Sequence, residues 1–143
     1  MSPDNSSLEL KRIVMVKAIV TEAFKDNLLR ELERALGNLD LQGQQLETQS
    51  KQYAADLKKR GMAQQLSTFR KQYQDEQSRQ SAAKADLQRK IQEARNLVVG
   101  SEFVQGPLEG PVTVKSGDNL YKKVGGAEII VKDGIIQEIR GLD

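Results

Sequence analysis

Residues 58–61 read KKRG and divide the middle of the chain into two segments of nearly equal length, 22–60 and 62–98. Glycine after a run of basic residues is a typical end of an α-helix. It adopts the left-handed conformation that follows the last turn, and the cations lie at the negative end of the helix dipole. The stretch therefore predicts that a first helix ends here and that the chain reverses near Gly61.

Both segments have the spacing of helices that pack on other helices. In the first, the predicted seam is Leu28, Leu32, Ala35, Leu39, Gln42, Leu46, Gln49 and Tyr53. In the second it is Leu66, Phe69, Tyr73, Glu76, Gln80, Ala83 and Leu87, continued after a stutter by Ile91, Ala94 and Val98. A glycine turn between helices of equal length predicts a long antiparallel, coiled-coil hairpin over residues 21–99. Gly37 and Gly43 leave open whether the first helix is kinked.

The segments that flank the hairpin are rich in β-branched residues. Residues 12–20 predict a strand, followed by Thr21 as the N-cap of the first helix. Residues 100–143 predict a small β module with strands at 103–104, 112–114, 129–131 and 135–139, and Asp133-Gly134 as a hairpin turn. Because equal helices return the chain to its starting place, strand 12–20 is expected to join these strands in a sheet or barrel of about five. The predicted class is α+β, with residues 1–11 flexible.

Composition excludes several kinds of site. The 143 residues contain no His, Cys or Trp, and 22 basic residues face 20 acidic ones. Thiolate or imidazole zinc sites, a Cys nucleophile and disulfides are therefore impossible. Phosphate-loop and dinucleotide motifs are missing from the sequence. We expect no enzyme activity, no catalytic residue, no cofactor and no metal; an enzyme would require a pocket around Asp118 and Asn119.

The positive charge is concentrated at the predicted reversal. Residues 51–71, here called the tip, contain six basic residues against Asp56 alone. Its candidate binding residues are Lys58, Lys59, Arg60, Arg70 and Lys71, which suit RNA phosphates or a ribosome-related protein. The alternative is that residues 58–60 only complement the helix dipole. Tyr53, Phe69 and Tyr73 lie on the predicted seams and are expected in the hairpin core rather than on a stacking platform.

Polar residues at central seam positions suggest that the helical arms also pack against another copy. The sequence therefore predicts a homo-oligomer through these arms. The function that competes with RNA binding is an oligomeric, protein-only scaffold or prefoldin-like holdase. No run approaches the roughly 18 apolar residues of a membrane span, and residues 1–7 do not read as a secretory signal. We expect a cytoplasmic protein without a membrane partner.

Three stretches resemble the YlqD family of small bacterial and cyanobacterial proteins. They are VMVKAIVTEAFK at 14–25, LVVGSEFVQG at 97–106 with VTVKSGDN at 112–119, and AEIIVKDGIIQEIR at 127–140. The resemblance covers nearly the whole chain and implies no activity, cofactor or catalytic residue. Genes of this family often lie near genes for ribosomal proteins and RNA processing, and this association modestly favours an RNA or ribosome partner.

Overall fold

The structure is a computed structural model that describes residues 6–141. The chain forms two compact units. Residues 6–25 and 97–141 form a sheet unit, and residues 26–96 form a hairpin unit. The described elements are β1 (Ser7–Ile19), α1 (Glu22–Lys59), α2 (Ala63–Arg95), β2 (Glu102–Lys115), α3 (Leu120–Val124), β3 (Ala127–Lys132) and β4 (Ile135–Arg140). The α+β prediction, with a helical hairpin between an N-terminal strand and C-terminal strands, is confirmed.

The sheet is built around the first strand. Its order is β2-β1-β3-β4, with β1 antiparallel to β2 and parallel to β3, and β3 antiparallel to β4. The expected pairing of the N-terminal strand with the C-terminal ones is confirmed. Within residues 6–141 the sheet is open and has four strands, so the alternatives of a barrel or of five strands are wrong. A strand separated from its partners by the whole hairpin holds the centre of the sheet.

The strand count differs because β2 is continuous. The two short strands expected at 103–104 and 112–114 belong to one strand of 14 residues that runs through Pro107 and Pro111. Because β2 lies at the edge of the sheet, a proline can stand there without breaking the ladder on both sides. β1 likewise begins at Ser7 rather than residue 12, since its register with β2 starts at the Ser7–Lys115 pair. Residues 7–11 of the segment that was expected to be flexible therefore belong to β1. Residues 1–5 of that segment lie outside the described residues.

Backbone hydrogen bonds close the base of the hairpin. Val20 N–H donates to the carbonyl of Ser101 at 2.8 Å, and Gly100 N–H donates to the carbonyl of Val20 at 2.7 Å. Val20 is fully buried. Thr21 is the predicted N-cap, because its Oγ1 accepts from Phe24 N–H at 3.0 Å, and the same hydroxyl donates to Asp133 Oδ1 at 2.7 Å. The chain thus leaves and re-enters the sheet unit at one place.

The inward face of α1 is partly different from the predicted seam. Leu32, Leu39 and Leu46 are half-buried as expected, but Ala35, Gln42 and Gln49 are exposed. The positions one residue later are the inward ones: Leu36, Gly43 and Ser50. The two possible seams differ by one residue. The one that packs half-buries Leu36 in place of Ala35 and buries Leu57 at its end, so it removes more apolar surface from water.

On α2 the predicted seam holds except at two positions. Leu66, Ile91 and Ala94 are buried, and Phe69, Tyr73, Glu76, Gln80 and Leu87 are half-buried. Ala83 is exposed. Val98 lies beyond the end of α2 at Arg95 and is 70% exposed. The middle of the hairpin holds an open groove of about 1070 Å³ lined mainly by polar side chains, including Gln77, Gln80 and Ser81.

The two glycines of α1 do not interrupt the helix, and they permit a stability test. A Cβ at exposed Gly37 would have nothing within 4 Å, whereas one at Gly43 would lie 3.2 Å from Gln80 Oε1 on α2. We expect Gly37→Ala to raise the free energy of unfolding by about 0.5–1 kcal/mol in urea titrations, because alanine restricts the unfolded chain. Gly43→Ala is the matched control and should gain less. Equal gains would contradict the placement of Gly43 on the inward face.

A second test concerns the ion pairs on one face of the sheet. Arg140 of β4 donates to Glu102 of β2 through Nη1, at 2.9 and 3.2 Å, and this contact lowers the pKa of Glu102. Arg140→Gln should return that pKa towards its ordinary value, measured by carboxyl ¹³C titration.

Because the pKa of Glu102 is lower in the folded state, the stabilisation by the pair is present above the unfolded-state pKa. It disappears as the pH falls through the folded-state value. The difference in unfolding free energy between wild type and Arg140→Gln should therefore shrink in acid. An unchanged Glu102 pKa in the variant would contradict the assigned contact.

Candidate interaction site at the hairpin turn

The reversal of the chain is a hydrogen-bonded helix end followed at once by a second helix. Gly61 has φ +71°. Its N–H donates to the carbonyl of Lys58 at 3.1 Å, and Met62 N–H donates to that of Leu57 at 3.0 Å. This pair of bonds is a Schellman motif, which requires the left-handed residue that glycine supplies. The reversal at Gly61 is therefore as predicted, and three residues join the helices.

Three of the predicted site residues lie at the end of α1. Lys58 and Lys59 are the basic residues of that turn, Arg60 follows the helix, and all three side chains are exposed. Arg60 Nε lies 3.3 Å from Asp56 Oδ2, and the two side chains are 65% and 48% exposed. An ion pair this exposed contributes little to stability, so its guanidinium exchanges partners at low cost.

Arg70 and Lys71, the other two predicted site residues, lie on α2 and are exposed. They follow Phe69, whose ring centroid is 4.6 Å from that of Tyr53 on α1. This contact places Arg70 and Lys71 near the level of Tyr53. Lys58–Arg60 lie roughly 8–10 Å further along α1 at the usual rise per residue. The five cations thus occupy the same end of the hairpin.

Four of these five cations have no carboxylate partner. Within residues 6–141, no ion pair involves Lys58, Lys59, Arg70 or Lys71. Several cations elsewhere on the same helices are paired, for example Lys84 with Asp40 at 3.1 Å and Arg89 with Glu93 at 2.6 Å. The tip therefore keeps an uncompensated positive charge. Its lysines also suit the negative end of the α1 dipole, and this structural role leaves their ammonium groups exposed.

Tyr53 is the functional candidate that the sequence pattern misplaced. It is 50% exposed, while Phe69 and Tyr73 are half-buried as expected of hairpin core. The inward positions of α1 are Ser50 and Leu57, and Tyr53 between them stands at the margin of the interface. A predicted seam through Leu36, Gly43 and Ser50 would have left Tyr53 outside the interface and so indicated its exposure.

A groove opens beside Tyr53 on the tip. This tip groove has a volume of about 420 Å³ and is lined by Tyr53, Gln64, Gln65, Thr68, Phe69 and Gln72. Its lining combines two aromatic rings with side-chain amides and a hydroxyl, and none of the six residues is charged. Such a surface offers a flat stacking partner together with groups that both donate and accept hydrogen bonds.

The loop before α3 uses its polar residues to hold its own backbone. Asp118 Oδ2 accepts from Lys115 N–H at 3.0 Å, and Asn119 Oδ1 accepts from Lys122 N–H at 3.2 Å as the N-cap of α3. A cleft of about 290 Å³ lies beside Asp118 and is lined by the start of β1, the end of β2 and the residues that follow β2. Both side chains thus have structural partners.

In residues 6–141, neither long helix has an apolar stretch of the length that crossing a bilayer requires, nor does α3.

The sequence is similar to one family of proteins over most of its length. A profile of the YlqD family, described as YlqD protein, matches residues 8–140. The chain is 27% identical over 127 residues to the uncharacterized protein YlqD of Bacillus subtilis (strain 168), covering 89% of this chain and 94% of that protein.

A solved structure has the same fold. The crystal structure of a protein of unknown function from Synechococcus sp. WH 8102 matches with a TM-score of 0.86 and 29% sequence identity, over 98% of both chains. The similarity therefore extends over the sheet strands and the hairpin alike. The chain belongs to the YlqD family.

Proposed function

We propose that this protein is a non-enzymatic interaction protein that binds RNA, alone or as part of a ribosome-related particle, through the tip. The observation that carries the proposal is the set of four exposed, uncompensated cations at one end of the hairpin: Lys58, Lys59, Arg70 and Lys71. Arg60 adds a fifth cation when a phosphate takes the place of the Asp56 carboxylate as its ion-pair partner. The proposal places this contact in the cytoplasm, where such RNA is abundant.

Phosphate binding fits the form of the site. Lysine is a compact, flexible cation that neutralises phosphates without a fixed geometry, and arginine adds paired donors. Cations on two helices at one end of a hairpin can meet several phosphates of one backbone. Counterion release then supplies most of the binding free energy, which makes the affinity depend on salt concentration.

The test compares two double variants of α1 that remove the same charge. Lys58→Ala/Lys59→Ala removes two tip cations. Arg30→Ala/Arg34→Ala removes two exposed cations of the same helix that also lack an ion pair within the described chain. Affinity for a structured RNA is measured across a salt series. The tip variant should bind more weakly and lose about 0.7–0.9 of log–log slope for each phosphate contact removed.

The control variant should keep the wild-type slope. Equal losses in the two variants would show that net charge alone, and not the tip, determines binding. Wild-type affinity and slope in the tip variant would remove the tip from the proposal.

The second candidate is an oligomeric scaffold or holdase. The sequence predicts contact through the helical arms, and exposed apolar side chains of the sheet support an alternative contact surface. The hairpin groove is polar, whereas edge strand β4 exposes Ile135, Ile136 and Ile139 by more than half each. A register shift between β3 and β4 puts Ile136 and Ile139 on one face, because their partners on β3, Val131 and Ile129, are two residues apart. Antiparallel pairing of two β4 strands would then set Ile136 beside Ile139 of the other copy. Under this candidate, wild type is a stable oligomer without RNA, and the proteins that co-purify with it remain after ribonuclease.

A further inference from the structure

The tip groove has hydrogen-bonding groups that the protein itself leaves unused. The side-chain amides of Gln64, Gln65 and Gln72 and the hydroxyl of Tyr53 make no hydrogen bond within residues 6–141. The Thr68 hydroxyl, by contrast, donates to the carbonyl of Gln64 at 3.2 Å. The groove therefore offers at least four free polar groups around an exposed ring.

The rings of the groove are held in place. Tyr53 and Phe69 meet edge to face at 4.6 Å between centroids, and Phe69 lies nearly parallel to Tyr73 at 6.5 Å. Tyr73 is itself fixed, because its hydroxyl accepts from Gln77 Nε2 at 3.0 Å. The half-buried rings support Tyr53, which leaves half of its own surface to solvent. A supported, exposed ring loses little conformational entropy when a flat ligand stacks on it.

Positive charge lies beside the groove. Tyr53, Asp56 and Arg60 are spaced three and four residues apart, so they share one side of α1. The side chain of Arg60 is 65% exposed, and its guanidinium forms an exposed ion pair with the carboxylate of Asp56. Lys58 and Lys59 are its immediate neighbours in the chain. A ligand in the groove that also carries negative charge can therefore reach these cations.

We propose that the tip groove holds an unpaired base of a single-stranded or looped RNA, stacked on Tyr53, while Arg60 and its neighbouring lysines bind the adjacent phosphates. This inference rests on the proposed function and names its substrate class. An unpaired base has a free face for the ring and a free edge for the glutamine amides. In a duplex, the faces are stacked and the pairing edges are occupied, so the groove has nothing to bind.

The experiment uses the full-length protein and two labelled RNAs with the same number of phosphates, a single-stranded oligouridylate and a fully paired duplex. Tyr53→Leu removes the ring, Tyr53→Phe keeps it, and Tyr121→Leu is the matched control at a tyrosine of the sheet unit that is 81% exposed. Tyr53→Leu should weaken oligouridylate binding about five-fold to a hundred-fold, because stacking contributes at this level for each base. Its salt slope should stay that of wild type, since no phosphate contact is lost.

Tyr53→Phe keeps the ring but removes the hydroxyl, so it should lose less affinity for oligouridylate than Tyr53→Leu does. Tyr121→Leu should bind oligouridylate as wild type does, and wild type should prefer oligouridylate to the duplex. Folding of each variant is checked by circular dichroism and thermal unfolding. If Tyr53→Leu fails to fold, Gln65→Ala provides the same test at an exposed side chain. It should weaken binding to the single strand and leave binding to the duplex unchanged.

Three outcomes would overturn the inference, and they separate it from the proposed function. Equal binding of both RNAs with no effect of Tyr53→Leu refutes the base site but leaves the cationic RNA contact intact. No binding of either RNA by wild type refutes both. Binding of polyglutamate as tight as that of RNA, unaffected by Tyr53→Leu, assigns the tip to an acidic protein surface instead.

Discussion

The fold depends on the position of β1 between β2 and β3. Its partners lie beyond the hairpin in the sequence, so the sheet forms only after the chain has made the whole excursion and returned. Such pairing has a high entropic cost of closure. Two stiff helices of similar length reduce that cost, because they bring Val20 and Ser101 together without a search by a flexible chain. The helix end at Gly61 is therefore a requirement of the sheet as well as of the hairpin.

The same constraint explains the form of the candidate site. A chain that reverses at a glycine must end one helix and begin another within a few residues. The first of these helix ends favours cations in its last turn. Lysines placed for this reason are exposed, and at the tip they lack carboxylates within reach. The structural role and the proposed binding role would thus fall on the same residues, which is why the sequence alone left the two alternatives for Lys58–Arg60 open.

Features set by local chemistry were predictable, and those set by competition between distant surfaces were not. The cap at Thr21, the reversal at Gly61 and the turn at Asp133-Gly134 follow from a few adjacent residues, and φ is positive at Asp133 and Gly134 as such a turn requires. The parallel pairing of β1 with β3 and the continuity of β2 through two prolines depend on which strands become edges. That choice is made only when the sheet assembles.

The site shows the same division. Charge at the tip could be counted from the sequence, and the structure places all five cations at one end of the hairpin. The tip groove could not be predicted, because the exposure of Tyr53 depends on which of two seams, one residue apart, packs against α2. Leu36 packs in place of Ala35 and Leu57 is buried at the end of α1, so this seam is favoured, and Tyr53 then lies at the margin of the interface.

The central claim is that RNA meets this protein at the tip. Ultraviolet cross-linking in living cells, followed by mass spectrometry of nucleotide–peptide adducts, tests it most directly, because it reports contacts of the native chain with whatever RNA it binds. The account predicts adducts within residues 51–72, with Tyr53 or Phe69 among the modified residues. Adducts confined to the sheet unit, or none above the level of an irradiated non-binding protein, would contradict it.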